Sequence, residues 1–285
     1  MCRFLAYSGK PIVLSEVIYE PKNSLIRQSF QSKEREEPLN GDGFGIGWYL
    51  ENISPEPGVF VSVRPAWHNR NLKSLASKTK ASCFFAHVRA ATVSDVSEAN
   101  CHPFNYGKSL MMHNGDIGGF EHIQRPLRRM LSDSTYHWIR GQTDSEHFFA
   151  LYTDCLIKQG EPTDTEAMFA ALEDAVSVVL QLQSDHKVTE PSYLNFAVTD
   201  GKSMVAVRAT TNPKLWADTL YYSEGSSYRC VDGVCSMIQA NTGDRSVLIV
   251  SEKLTEARDD WKEVPVNHAV LVSPDLKTEL RAFKV

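Results

Sequence analysis

Two amphipathic helical stripes divide a chain that otherwise reads as strand after strand, and that order limits the folds open to it. Before them, residues 2–7, 44–50, 60–63, 83–90 and 109–113 form short apolar runs. Several of these, CFFAHVRA among them, are too apolar to leave one face in water, which predicts strands buried on both sides. From Ser145 the pattern changes. Phe148, Leu151, Tyr152, Cys155 and Leu156 recur at helical spacing, and Thr143 with Glu146 forms a capping-box pair at the start. Phe169, Leu172, Val176 and Val179 draw a second stripe on a helix spanning Thr165 to Gln183. Strand-like segments return at 193–199, 203–208, 219–223, 246–251 and 268–273. Strands, then helices, then strands predict an α+β fold of two packed sheets with helices outside, rather than an alternating doubly wound one.

No internal repeat or low-complexity linker interrupts the chain, so residues 2–285 are expected to form one domain, and the polar stretch Gln31–Asn40 reads as a solvated loop. A net charge of −5 without a Lys/Arg block argues against nucleic-acid or membrane-surface binding. No apolar run approaches the roughly 18 residues of a membrane span, and MCRFLAYSGK lacks a secretory h-region, so a cytoplasmic protein is expected. The six cysteines are scattered, which makes reduced thiols the expectation. Cys230 and Cys235 are close enough to suggest a metal or a disulfide, but no second ligand pair stands at zinc-site spacing.

Cys2 is the residue with the most chemistry to offer. A thiol attacks an amide as thiolate, and a free cysteine near pKa ~8.5 is mostly protonated at neutral pH, so a catalytic cysteine needs a base. Removal of Met1, which the small second residue permits, would expose an α-amine of pKa about 7.7–8.0 beside its own thiol. One residue would then carry nucleophile and base. On its own, a cysteine at position 2 reads first as the start of a strand, and the rest of the chain must supply the case for catalysis.

Cleavage of a γ-glutamyl amide needs a cation for the α-carboxylate, an anion for the α-ammonium and donors for the tetrahedral oxyanion. Arg89, at the end of an apolar strand, offers a planar fork for a carboxylate, with Thr92 on the following turn. Asp144 suits the ammonium. Asn114 and Gly115, just after a strand, offer a side-chain amide and an uncrowded N–H as an oxyanion hole. Singly, each also has a structural reading: an ion-pair partner, a turn dipeptide, a helix N-terminal acid. His102 and His113 read as packed or capping residues, since an N-terminal base requires no histidine.

Taken together the motifs resemble the class II glutamine amidotransferases, and they stand in that family's order. Cys2 opens MCRFLAYSG; NGDGFGIGWY is similar to the family's glycine-rich early strand; HVRAAT holds Arg89 and Thr92; NCHPF holds His102; HNG holds Asn114 and Gly115; TDSE holds Asp144. The resemblance implies a four-layer αββα sandwich of the N-terminal-nucleophile type. It implies Cys2 as nucleophile and base, Asn114 and Gly115 as oxyanion hole, and Arg89, Thr92, His102 and Asp144 around the glutamate moiety. Ala90 and Val93 stand where many relatives carry tryptophan and histidine, so the substrate rim differs.

Within the family the likeness extends over nearly the whole chain to the amidotransferase-like proteins of fungal glutathione degradation, through SLIRQSFQS, AWHNRNLKSLASKTK, LNFAVTDG and VSEKLTEARDDW. It implies hydrolysis of glutathione or a related γ-glutamyl compound through a thioester, with a metallopeptidase-family protein as partner. Bacterial relatives in ergothioneine synthesis share the opening motifs. No synthase segment remains to accept ammonia, and no metal or cofactor is required. Two alternatives stay open: a glutaminase subunit that feeds a separate synthase, and a catalytically silent interaction partner.

Overall fold

A computed structural model describes residues 2–34, 39–91, 95–160, 164–214, 217–231, 233–240, 243–257 and 260–285. Among them, one sheet has seven strands in the spatial order Lys262–Glu263 (β13), Tyr221–Gly225 (β9), Ser246–Val250 (β12), Arg3–Val13 (β1), Lys80–Val88 (β4), Phe44–Leu50 (β2) and Ser54–Ser62 (β3). The other has six: Thr278–Ala282 (β15), His268–Val272 (β14), Met204–Thr210 (β8), Tyr193–Thr199 (β7), Ser109–Asp116 (β6) and Phe104–Tyr106 (β5). Neighbours pair antiparallel throughout both sheets.

Strand alternation sorts the apolar side chains into three cores. Leu5, Tyr7, Phe84, Ala86, Leu248 and Val250 point outward from the first sheet, under helices Ser15–Ile18 (α1), Leu25–Gln31 (α2) and Arg70–Ala76 (α3). Phe4, Ala6, Phe85, Val247 and Ile249 point the other way, against Leu110, Met112, Ala197, Ala206 and Val270 of the second sheet. The outer face of the second sheet carries Met111, Phe196, Val198, Val205 and Val207, which pack under Phe120–Met130 (α4), Asp144–Lys158 (α6) and Thr165–Asp185 (α7). Between α4 and α6 runs the short helix Asp133–Trp138 (α5). Helix, sheet, sheet, helix is the four-layer αββα sandwich the resemblance implied.

The capping-box expectation holds in half. Thr143 Oγ1 accepts from the Glu146 N–H at 3.1 Å, but the Glu146 carboxylate turns to the N–H groups of Arg140 and Gly141, both at 2.7 Å. The helix start is capped, and the incoming loop is pinned by the same side chain.

Two expectations are corrected. Of the stretch Gln31–Asn40, residues 35–38 lie outside the described residues; Gln31, Lys33 and Leu39 are exposed as expected, but Ser32 and Asn40 are buried, and Asn40 bonds back to Ser29 O at 2.7 Å and, through Nδ2, to Gln28 O at 3.0 Å. Cys230 and Cys235 form a disulfide, because the hairpin of Ser227–Val231 (β10) and Val234–Ile238 (β11) sets them directly opposite one another. Cys2, Cys83, Cys101 and Cys155 take part in no disulfide among the described residues.

Candidate active site

Cys2 stands just before β1, half-buried, with its thiol 3.7 Å from the carbonyl oxygen of Ala90. Its neighbour fixes it in place. Arg3 is only 1% exposed; its Nη1 donates to the Cys2 carbonyl at 3.0 Å, and its Nε donates to Glu252 at 3.0 Å. Glu252 also accepts from Ser32 Oγ at 2.6 Å, Asn23 Nδ2 at 2.8 Å and Lys33 N–H at 3.0 Å. Burial alone would raise this carboxyl, but the hydrogen bonds from Ser32, Asn23 and Lys33 and the Arg3 charge outweigh it and hold it below the ordinary range. On the opposite side, Phe4 N–H donates to Ser251 Oγ at 2.6 Å. The start of β1 is therefore anchored in a buried, hydrogen-bonded polar cluster.

Arg89 follows the end of β4, which pairs with β1 so that Arg3 faces Val88 and Phe4 faces His87. Its backbone bridges to the glycine-rich loop: Arg89 N–H donates to Gly43 O at 2.8 Å, and Asp42 N–H donates to Arg89 O at 3.0 Å. The Asp42 carboxylate accepts from Ala91 N–H at 2.8 Å. The guanidinium is 3% exposed, with Nη1 3.3 Å from Asp95 O and 3.5 Å from Asp42 O. Glycine is required at position 45 because a Cβ there would overlap the His102 carbonyl oxygen, so the loop carrying His102 can lie on β2. Thr92 and Val93 lie outside the described residues.

The second sheet supplies the other wall. His87 Nε2 lies 3.2 Å from the carbonyl oxygen of His113. A carbonyl only accepts, so Nε2 carries the proton. The same reasoning protonates His113 at Nε2, which donates to Tyr193 O at 3.0 Å, while Nδ1 lies 2.9 Å from Ser145 Oγ, whose hydroxyl donates to Asp144 at 3.0 Å. Burial pushes His87 down to about 3 and lowers His113 also, so both rings are neutral.

Next along β6, Asn114 is fully buried, and neither its Nδ2 nor its Oδ1 has a hydrogen-bond partner among the described residues. An amide in that position costs stability unless something bonds to it. Gly115 follows with φ +156, and a Cβ there would overlap the Tyr193 carbonyl oxygen. Asp144, at the first turn of α6, accepts from Ile117 N–H at 2.8 Å and from its neighbour Ser145 N–H at 2.7 Å.

Cys2, Arg89, Asn114 and Gly115 thus stand at strand ends that Arg3–Val88 pairing and the His87–His113 bond draw together, and Asp144 locks the turn beyond β6. His102 is placed differently. It is 3% exposed, its ring lies 4.2 Å from that of His87 and 4.5 Å from that of Phe104, and neither nitrogen has a partner among the described residues. Burial lowers its pKa far below the ordinary histidine range. A cavity of about 530 Å³ lined by Glu224, Gln239, Arg245, Asp260 and Lys262 includes none of these residues. Among the described residues no group of three or more His, Cys, Asp or Glu side chains is placed to hold a metal, and no helix is long and apolar enough to cross a membrane.

Sequence reasoning missed Arg3, Glu252, Asp42 and His87. Asp42 and His87 sit inside motifs already singled out, flanking Gly43 and Arg89, where a polar residue in an apolar strand was a usable signal. Nothing in the sequence links Arg3 to a glutamate 249 positions away.

The description "Glutamine amidotransferases class-II" matches residues 13–275. The chain is 40% identical to the probable glutamine amidotransferase DUG3 of Saccharomyces cerevisiae, over 95% of this chain and 82% of that protein. It is 29% identical to the gamma-glutamyl-hercynylcysteine sulfoxide hydrolase of Mycobacterium tuberculosis, over 56% of this chain and 67% of that protein. Among solved structures, a glutamine aminotransferase class-II domain protein from Silicibacter pomeroyi superposes with TM-score 0.68 at 25% identity, covering 99% of this chain and 100% of the other. The glutamine phosphoribosylpyrophosphate amidotransferase of B. subtilis shares the fold, with TM-score 0.61 at 14% identity over 99% of this chain and 49% of that one.

Proposed function

Since the chain belongs to the class II glutamine amidotransferases, we propose that it hydrolyses the γ-glutamyl amide bond of glutathione or a related γ-glutamyl compound, with Cys2 as nucleophile. The observation that carries this reading is Asn114: a buried amide without a partner among the described residues, on a strand end tied to the one that presents Arg89. An oxyanion would satisfy its Nδ2 donor.

In this reading Met1 is removed and the α-amine of Cys2 takes the thiol proton. The thiolate attacks the γ-carbonyl carbon, and the oxyanion is held by Asn114 Nδ2 and the Gly115 N–H, where one donor is typically worth about 10²–10³ in rate. The C–N bond breaks as the ammonium returns its proton to the leaving amine, leaving a γ-glutamyl thioester. Water, deprotonated by the same amine, attacks the thioester; glutamate leaves and the thiol is restored. Arg89 and Thr92 hold the α-carboxylate, Asp144 faces the α-ammonium, and His102 backs this wall from the interior. No metal or cofactor enters any step. Residues 2–285 act as one amidotransferase unit in the cytoplasm, with a metallopeptidase-family protein as partner.

The similarity to a γ-glutamyl hydrolase in Mycobacterium tuberculosis supports hydrolysis over ammonia transfer. The test is glutamate release from glutathione by the purified protein, with and without such a partner, beside the Cys2→Ala variant. Release that depends on Cys2 is expected. Ammonia release from glutamine, with glutathione left intact, would favour the glutaminase reading.

A further inference from the structure

The hairpin β10–β11 belongs to neither sheet, and its disulfide plays no part in the chemistry above. Tyr228 and Met237 are buried in the outer core of the first sheet, while Val231 and Val234 at the tip are 66% and 71% exposed. The two sulfur-bearing residues differ in the same way. Cys235 is 5% exposed, whereas Cys230 is half-buried and lines a cavity of about 220 Å³ with Lys10, Ile12, Glu16, Arg229 and Val231. Lys10 pairs with Asp244 at 2.5 Å, and Glu16 is held by Val13 N–H at 3.1 Å. Arg229 is exposed and forms no ion pair among the described residues, and with Lys10, Asp244 and Glu16 the charges around the cavity balance, so access rather than charge singles out the sulfur of Cys230.

We propose that Cys230–Cys235 is a thiol-exchange site, at which a small thiol entering the cavity beside Cys230 attacks that sulfur and opens the hairpin. In the first step the incoming sulfur bonds to Cys230, the bond to Cys235 breaks, and the thiol's proton ends on Cys235. In the second step another thiol attacks the small-molecule sulfur of the mixed disulfide, and Cys230 leaves as a thiol. The sum is two thiols oxidised to one disulfide while the protein disulfide is reduced to two thiols. The freed Cys230 has an acceptor waiting, because its Sγ lies 3.1 Å from the Glu16 carbonyl oxygen in α1. A two-stranded ribbon is marginal without support, so loss of the cross-link frees the tip while Tyr228 and Met237 hold the base.

The inference does not depend on the reading of Cys2. Oxidised protein is incubated with a millimolar series of 2-mercaptoethanol, which carries no γ-glutamyl bond, then quenched by alkylation and mapped by mass. The expected result is a mercaptoethanol adduct on Cys230, an alkylated Cys235, and faster hydrogen exchange at Val231 and Val234. The proposal is overturned if the disulfide survives the whole series or if the adduct sits on Cys235.

Discussion

The imidazole of His87 donates from Nε2 to the carbonyl oxygen of His113 across 3.2 Å, and so joins the strand that leads to Arg89 with the strand that presents Asn114. Substrate carboxylate and oxyanion must be held at a fixed separation, and this bond sets the spacing between the groups proposed to hold them. Replacing His87 with alanine leaves the His113 carbonyl without its donor in a buried seam. The variant is expected to lose kcat more than KM, and His87→Gln, which keeps a donor, to recover part of the loss; steady-state kinetics on a γ-glutamyl substrate separates the two.

Asn114→Ala removes one oxyanion donor without adding bulk. The expected effect is a fall in kcat of about 10²–10³ with the fold retained, read by kinetics beside circular dichroism. Gly115→Ala differs, because its Cβ has no room against Tyr193. That variant is expected to lose stability as well as activity.

Arg89→Lys keeps the charge and loses the fork. The bidentate grip on a carboxylate goes with it, so KM for the γ-glutamyl substrate is expected to rise while kcat changes less. Equal KM values in the two proteins would place the carboxylate elsewhere.

Glu252→Ala strands the Arg3 guanidinium, 1% exposed, without its counter-charge. Breaking a buried pair in this way costs about 3–5 kcal/mol. Denaturant unfolding should show a loss of that size, and activity should fall too, because the same guanidinium bonds to the Cys2 carbonyl.

Four buried histidines make stability depend on pH. Burial lowers His87 from 6.5 to about 3 and His147 to about 4, and lowers His102 and His113 also. Below pH about 6.5 the unfolded chain binds protons that the folded chain refuses, so stability rises with pH in this window and is lost as pH falls from 6.5 toward 4. Glu146, raised by burial, offsets a part in the acid range. Unfolding midpoints measured from pH 7 to pH 4 should drop steadily, and His147→Gln should flatten the slope.

How far the sequence revealed this structure depends on how local each signal was. The strand carrying Arg89 and the long helices α6 and α7 were legible because their apolar residues are periodic over many positions; the predicted Thr165–Gln183 compares with Thr165–Asp185 in the structure. Helix α4 was hidden by Pro126, which ordinarily argues against a helix interior. Strand β5 is three residues long, too short to show a period, and β10–β11 carries its apolar residues on a small outer face. At the site, Cys2, Arg89, Asn114 and Gly115 are named by the order of motifs, and they lie at or beside the ends of β1, β4 and β6. Thr92 falls outside the described residues, and His102 is buried with its ring against those of His87 and Phe104. The Arg3–Glu252 anchor was invisible because it exists only once β1 and the segment after β12 are side by side.

The central claim is that Cys2 is a nucleophile in a working γ-glutamyl site, and a covalent trap tests it most directly. The purified protein is incubated with diazo-oxo-norleucine, a glutamine-analogue electrophile, and its intact mass and adduct peptide are read. The account predicts a chain without Met1 carrying one adduct, on Cys2. Met1 retained and Cys2 unlabelled, in folded protein, would contradict it.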